Sequence, residues 1–145
     1  MGSKNEKALE TYLFIAFAAA LISTLGSLYF SEIQKYIPCE LCWYQRIFMY
    51  PLVIILGIAI FKKNYSIALY TFILSLIGGS ISIYHYLIQK VPVFGENSLS
   101  CGIVPCTSQY INWFGFITIP FLALIGFTII AITSFLTLKK TKEGK

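Results

Sequence analysis

Four cysteines arranged as two short pairs are the residues best suited to chemistry in this chain. Cys39 and Cys42 are separated by two residues, and Cys101 and Cys106 by four. Two residues between cysteines suit either a small reversible disulfide ring or half of a zinc site. Arg46 follows Cys42 by four residues, so on a helix its charge would lie one turn away and favour the thiolate. The first pair is therefore a candidate redox centre.

The composition places these cysteines in a membrane protein. Apolar residues make up 57% of the 145 residues, charged residues make up 12%, and the mean hydropathy is +0.76. A soluble surface could not be built from such a chain. The net charge of +5 does not indicate nucleic-acid binding, because the basic residues form no run longer than a lysine pair.

Four apolar stretches are long enough to cross a bilayer, which takes about 20 helical residues. They cover residues 11–30, 42–61, 67–88 and 113–138. Runs such as residues 52–60 do not alternate in polarity, which argues against a β-barrel. The first stretch continues ten residues past its alanine triplet, which favours a retained helix over a cleaved signal. We predict an all-α fold, with residues 1–145 as a single transmembrane domain that forms an integral membrane four-helix bundle.

The distribution of basic residues predicts the orientation. Four spans put both termini on one side, which then carries eight of the eleven basic residues: Lys4, Lys7, Lys62, Lys63, Lys139, Lys140, Lys142 and Lys145. By the positive-inside rule, both termini are cytoplasmic. The two cysteine-bearing loops are then extracytoplasmic redox loops on the outer face of a bacterial cell membrane, where disulfides persist.

Arg46 and His85, the only arginine and the only histidine, are predicted to share one depth in the membrane. The second stretch has only fifteen apolar residues, from 47 to 61, so a full span must begin near Cys42. Arg46 then lies about 6 Å further along the helix axis. His85 precedes the outer end of the third stretch by three residues, and an ionisable residue within a membrane is a functional candidate.

The energetics of the first pair point to an electron acceptor in the membrane. If the helix dipole and Arg46 favoured ionisation of the Cys42 thiol about a thousandfold, they would stabilise the thiolate by about 4 kcal/mol. The reduction potential of a strongly oxidising periplasmic dithiol protein is about 150 mV above that of thioredoxin, which corresponds to about 7 kcal/mol for two electrons. Re-oxidising such a partner needs a further electron sink, and a lipid-soluble quinone is available at this depth. Arg46 and His85 could stabilise its oxygens as they become anionic. The richness in Ile, Lys, Phe and Tyr favours a low-GC bacterium, and hence menaquinone over ubiquinone.

These motifs together resemble the DsbB family of disulfide-bond formation proteins. The resemblance rests on Cys-x-Leu-Cys-x-x-Gln-Arg at the start of the second span, four spans, a second cysteine pair and His85 near the outer end of the third. It covers essentially the whole chain and is strongest for the bacillary member, in which the second pair is short. The segment from 113 to 120 agrees more loosely.

The resemblance implies a relay of disulfides. A secreted thioredoxin-like protein of the DsbA type would attack Cys101, and Cys106 would then attack the first disulfide at Cys39. Cys42 would be released as a thiolate beside Arg46, and its electrons would pass to the quinone at the His85 side and on to the respiratory chain. Better-known members separate the second pair by a long loop, whereas four residues intervene here, which leaves the order of attack open.

Three other interpretations fit parts of the pattern. A vitamin K epoxide reductase-like enzyme also combines a Cys-x-x-Cys with a quinone, but there the quinone-side pair lies on a late helix. The four cysteines could instead form a zinc site, although no histidine or acidic cluster surrounds them and no metal is expected. A non-enzymatic membrane protein with two structural disulfides is the third interpretation.

Overall fold

Helices account for the described part of the chain. The computed structural model describes residues 3–33, 35, 40–90 and 119–143. The main helices are α1 (Ser3–Leu28), α2 (Glu40–Lys62), α3 (Ala68–Lys90) and α4 (Ile119–Glu143). A π-helical turn, Tyr29–Ile33, follows α1, and a 3-10 turn, Tyr65–Ile67, precedes α3. Each of the four main helices is long and apolar enough to span a membrane, which confirms the predicted all-α membrane fold.

The helices pack in an antiparallel ring. Each helix contacts its neighbour in sequence, and α1 contacts α4, which closes the bundle. The register of α1 on α2 is set at both ends: Lys63 binds Glu10 at 3.0 Å, and Arg46 binds Ser27. The hydrogen bond and charge of Glu10 raise the pKa of the Lys63 amine. Large apolar side chains such as Phe61 remain exposed on the outside of the ring, as expected for a surface that faces lipid.

The short turn between α2 and α3 closes by backbone hydrogen bonds. Lys63 adopts a left-handed conformation with φ of 51°, and its N–H donates to the carbonyl of Ile60. The N–H of Asn64 donates to the carbonyl of Ala59. This pair of bonds is the Schellman arrangement that ends helices. The Asn64 side chain then accepts from the N–H of Ser66, which starts the 3-10 turn.

Small and polar residues let α3 and α4 approach closely. Thr71 donates to the carbonyl of Ala68, so its contact of 2.9 Å with Ser134 is made with the Ser134 hydroxyl as donor. Gly78 lies under the ring of Phe127, which is only 1% exposed. Interfaces of membrane helices use small residues in this way, because no hydrophobic effect drives the helices together within lipid.

We expect Gly78→Ala to destabilise the bundle while Gly79→Ala is tolerated. A Cβ at Gly78 would overlap the Phe127 ring, whereas a Cβ at Gly79 would meet the Cβ of Phe127 at an ordinary 3.6 Å. Overpacking of this kind costs about 1–3 kcal/mol. Thermal unfolding in detergent should show a lower midpoint for Gly78→Ala alone. Equal midpoints for the two variants would contradict the close contact between α3 and α4.

Candidate functional site

Arg46 is held against α1 at the end of the bundle where α1 leads into residues 34–39. Its Nε donates to the hydroxyl of Ser27 at 2.8 Å, and its Nη2 donates to the carbonyl of Ser27 at 3.0 Å. The guanidinium carbon lies 5.6 Å from the centroid of the Trp43 ring, within the range of a cation–π interaction. The guanidinium is therefore held by two hydrogen bonds in its plane and by an aromatic ring over which it lies.

Ser27, which binds Arg46, lies close to the point where the α-helix gives way to a π-helical turn. Ser27 is the last residue but one of α1, and the π-helical turn Tyr29–Ile33 begins two residues later. The hydroxyl of Ser31 donates to the carbonyl of Leu28 at 3.3 Å at the same junction. Single π-helical turns are common at functional sites because they redirect backbone groups that a regular helix would use internally.

His85 of α3 contacts the side of α2 that does not face α1. The Gln45 side chain approaches Nδ1 of His85 to 3.2 Å through its Nε2. Gln45 is 5% exposed and His85 is 1% exposed, so this contact between α2 and α3 is buried. Buried polar side chains in a membrane span are costly unless they are paired, and this pair satisfies that requirement.

These contacts place Arg46 and His85 at a similar level along the bundle. Gln45 precedes Arg46 by one residue, which is 1.5 Å along a helix axis, and it contacts His85 directly. Arg46 and His85 do not hydrogen-bond to each other, because Arg46 faces α1 and His85 meets Gln45. We call Ser27, Gln45, Arg46 and His85 the polar cluster. Its four members join α1 and α3 to a single turn of α2.

Two buried hydroxyls belong to residues about one helical turn from Ser27 and Arg46 in sequence. In the part of the chain that the structure describes, the hydroxyls of Thr24 and Tyr50 are buried without a hydrogen-bond partner. Thr24 precedes Ser27 by three residues and Tyr50 follows Arg46 by four, so both are displaced in the same direction along antiparallel helices. An unsatisfied buried hydroxyl costs about 1–3 kcal/mol. Each hydroxyl could donate a hydrogen bond to an oxygen-bearing ligand.

The cysteines are only partly covered by the described residues. Cys42 lies in the first turn of α2, one helical turn before Arg46. Cys39, Cys101 and Cys106 lie outside the described residues, as does the segment 113–118 of the predicted fourth span. Cys42, Arg46 and His85 are therefore assigned to the same end of the bundle, where α3 also ends.

Comparison with known proteins identifies the family. The model of the family described as disulfide bond formation protein DsbB matches residues 9–137. This chain belongs to the DsbB family. It is therefore a multi-pass membrane oxidoreductase with a role in disulfide bond formation, and it acts with a thiol–disulfide partner.

Relatives from bacilli are similar to nearly the whole chain. The Bacillus anthracis protein named probable disulfide formation protein C 1 is 62% identical over 135 residues, which cover 93% of this chain and 97% of that protein. Disulfide bond formation protein C of Bacillus subtilis (strain 168) is 57% identical over 134 residues, covering 92% and 96%. No solved structure matches the chain. The resemblance to the bacillary member of the DsbB family is thus confirmed.

Ser27 and Gln45 are members of the polar cluster that the sequence interpretation did not select. Ser27 is one of several small residues of the first span, and Gln45 enters the sequence analysis only as a member of the Cys-x-Leu-Cys-x-x-Gln-Arg motif. A signal for Gln45 was present, since an amide within an apolar span needs a polar partner and His85 was the candidate at the same depth. No comparable signal distinguished Ser27 from the other small residues of α1.

Proposed function

We propose that this DsbB-family protein is a thiol:quinone oxidoreductase that re-oxidises a secreted thioredoxin-fold protein of the DsbA type. The observation that carries the proposal is the position of Arg46 in a candidate membrane span, where it is bound to Ser27, one turn from Cys42 and level with His85. From the positive-inside rule we infer that the two cysteine pairs lie on the extracytoplasmic face and that the end of the bundle with Glu10 and Lys63 is cytoplasmic.

The proposed relay conserves disulfide bonds until its last step. A thiolate of the reduced partner attacks Cys101, which breaks the Cys101–Cys106 bond and forms a mixed disulfide. The second partner thiol resolves that bond and leaves oxidised with one disulfide. Cys106 then attacks the Cys39–Cys42 bond at Cys39, which forms a Cys39–Cys106 disulfide and releases Cys42. Cys101 attacks Cys106, re-forms the Cys101–Cys106 bond and releases Cys39, so the first pair ends as the dithiol.

The residues of the bundle fit a quinone. A bound quinone would supply the acceptor for the two electrons and two protons that the Cys39–Cys42 dithiol loses on re-forming its disulfide. Arg46 uses two N–H groups on Ser27, and its others remain for an oxygen atom. The Tyr50 hydroxyl, buried without a partner among the described residues, is a second donor one turn deeper. His85 lies where α2 meets α3, whereas Arg46 lies where α2 meets α1. We take menaquinone as the expected quinone.

We expect Arg46→Ala to weaken binding of the quinone far more than reaction with the protein partner. A hydrogen bond from a charged group contributes about 1.5–3 kcal/mol, so the KM for a soluble quinone should rise by about ten- to a hundredfold. The KM for the reduced partner should change little. Purified wild-type protein should also yield an extractable quinone, identified by mass as a menaquinone or ubiquinone, and Arg46→Ala should yield less.

Two variants give the controls for Arg46. Ser27→Ala removes one of the two acceptors for Arg46 but keeps the carbonyl, so its effect on the quinone KM should be smaller, about fivefold. Lys35→Ala removes a positive charge from the residues between α1 and α2 and should change neither KM. Equal effects of Arg46→Ala on both substrates would remove Arg46 from the quinone site. Stoichiometric zinc with no quinone in the wild type would favour the four-cysteine zinc site instead.

A further inference from the structure

The contact between Gln45 and His85 bears on which nitrogen of the His85 ring carries the proton. The atom of Gln45 nearest to Nδ1 of His85 is Nε2, at 3.2 Å. An amide nitrogen has two N–H groups and no lone pair to offer, so it can only donate. Nδ1 therefore accepts this hydrogen bond, which requires a neutral ring with its proton on Nε2.

Burial makes this constraint strong. Gln45 is 5% exposed and His85 is 1% exposed, so water is not available to replace the bond. Losing a hydrogen bond between buried groups leaves the remaining group with a penalty of about 1–3 kcal/mol. A ring with the proton on Nδ1 would place two donors against each other at this contact. The other ring nitrogen is thereby fixed as a donor.

We propose that Gln45 is a positioning residue that holds His85 as the neutral tautomer with Nε2–H. The inference rests on the proposed function only in taking His85 to belong to the quinone site. Glutamine suits this role because it is uncharged and donates to Nδ1. An ionised glutamate at the same position would accept only, and would draw the ring proton to Nδ1.

The single histidine of the chain allows a direct test. Protein labelled with ¹⁵N-histidine and purified through a tag that contains no histidine gives one pair of imidazole signals. The wild type should show Nδ1 as the unprotonated nitrogen and Nε2 as the protonated one. Gln45→Glu should reverse this assignment, and Gln45→Leu should give averaged signals from both tautomers. Tyr44→Phe, a change at the exposed neighbouring position on α2, should leave the spectrum unchanged.

Kinetics separate positioning from a merely structural role. Gln45→Leu should raise the KM for quinone by up to about tenfold, as expected for one hydrogen bond, and leave the KM for the protein partner unchanged. A wild-type spectrum with the proton on Nδ1, or a spectrum that Gln45→Leu and Gln45→Glu both leave unaltered, would overturn the inference. The expected tautomers in a protein that neither binds nor reduces quinone would instead overturn the proposed function and leave Gln45 as the residue that orients His85.

Discussion

Replacing Cys42 by serine should abolish catalytic turnover while leaving the bundle folded. Serine has nearly the same shape but cannot form the disulfide with Cys39, so the pair that delivers electrons to the quinone in the proposed relay is lost. Cys42 lies in the first turn of α2, where the helix dipole and Arg46 would stabilise its thiolate. The measurement is quinone reduction by a reduced DsbA-type protein, followed optically over many turnovers.

A single-turnover experiment makes the Cys42 prediction specific. Cys42→Ser retains Cys101 and Cys106, so it should still oxidise at most one equivalent of the partner and then stop. Its ¹⁵N-histidine spectrum should match that of the wild type, which shows that the contact of α2 with α3 is intact. Continued turnover at the normal rate would exclude Cys42 as the electron donor and would favour structural disulfides.

The membrane topology follows from sequence more directly than the partners within it do. Four long apolar stretches and a composition with few charges leave helices as the solution, because unpaired backbone is too costly in lipid. The depth of Arg46 and His85 could also be predicted, since the rise per residue of a helix converts sequence position into distance. Their similar level along the bundle agrees with the same arithmetic.

The choice of partners could not be predicted because it depends on helix rotation. Arg46 and Gln45 are adjacent in sequence, yet they point to different seams of α2 and meet α1 and α3 respectively. Shared depth alone suggested that Arg46 and His85 could both stabilise the oxygens of one quinone. Rotation is set by packing contacts such as that of Gly78 with Phe127, and such contacts need the coordinates of both helices.

The polar cluster orients Arg46 and His85 before any charge develops near Cys42. Ser27 supplies two acceptors to Arg46, and Gln45 supplies a donor to His85, so neither functional side chain depends on water for its orientation. Donors that are already oriented need little reorganisation when negative charge develops nearby. The buried Tyr50 hydroxyl, without a partner among the described residues, extends this set of donors deeper into the bundle.

Replacing Cys101 by serine should block the entry of electrons and leave the quinone site intact. In the proposed relay the partner attacks Cys101, so without this sulfur no mixed disulfide forms and steady-state oxidation of the partner is lost. Cys42, Arg46 and His85 are unchanged in this variant, so the quinone content and the ¹⁵N-histidine spectrum should equal those of the wild type. A small dithiol that reaches Cys39 directly should still reduce the quinone.

Cys106→Ser is the matched variant that fixes the order of attack. The partner for this test has its second cysteine replaced by serine and its remaining cysteine activated as a mixed disulfide with a small aromatic thiol. Cys101 of Cys106→Ser should displace the small thiol and form a mixed disulfide with the partner. No thiol of the partner or of the second pair remains to resolve this covalent complex, which should be visible on a non-reducing gel. Cys101→Ser should give none. Trapping by Cys101→Ser and not by Cys106→Ser would reverse the two roles. Normal oxidation of the partner by Cys101→Ser would exclude the relay order, because electrons would then reach Cys39 without passing through the second pair.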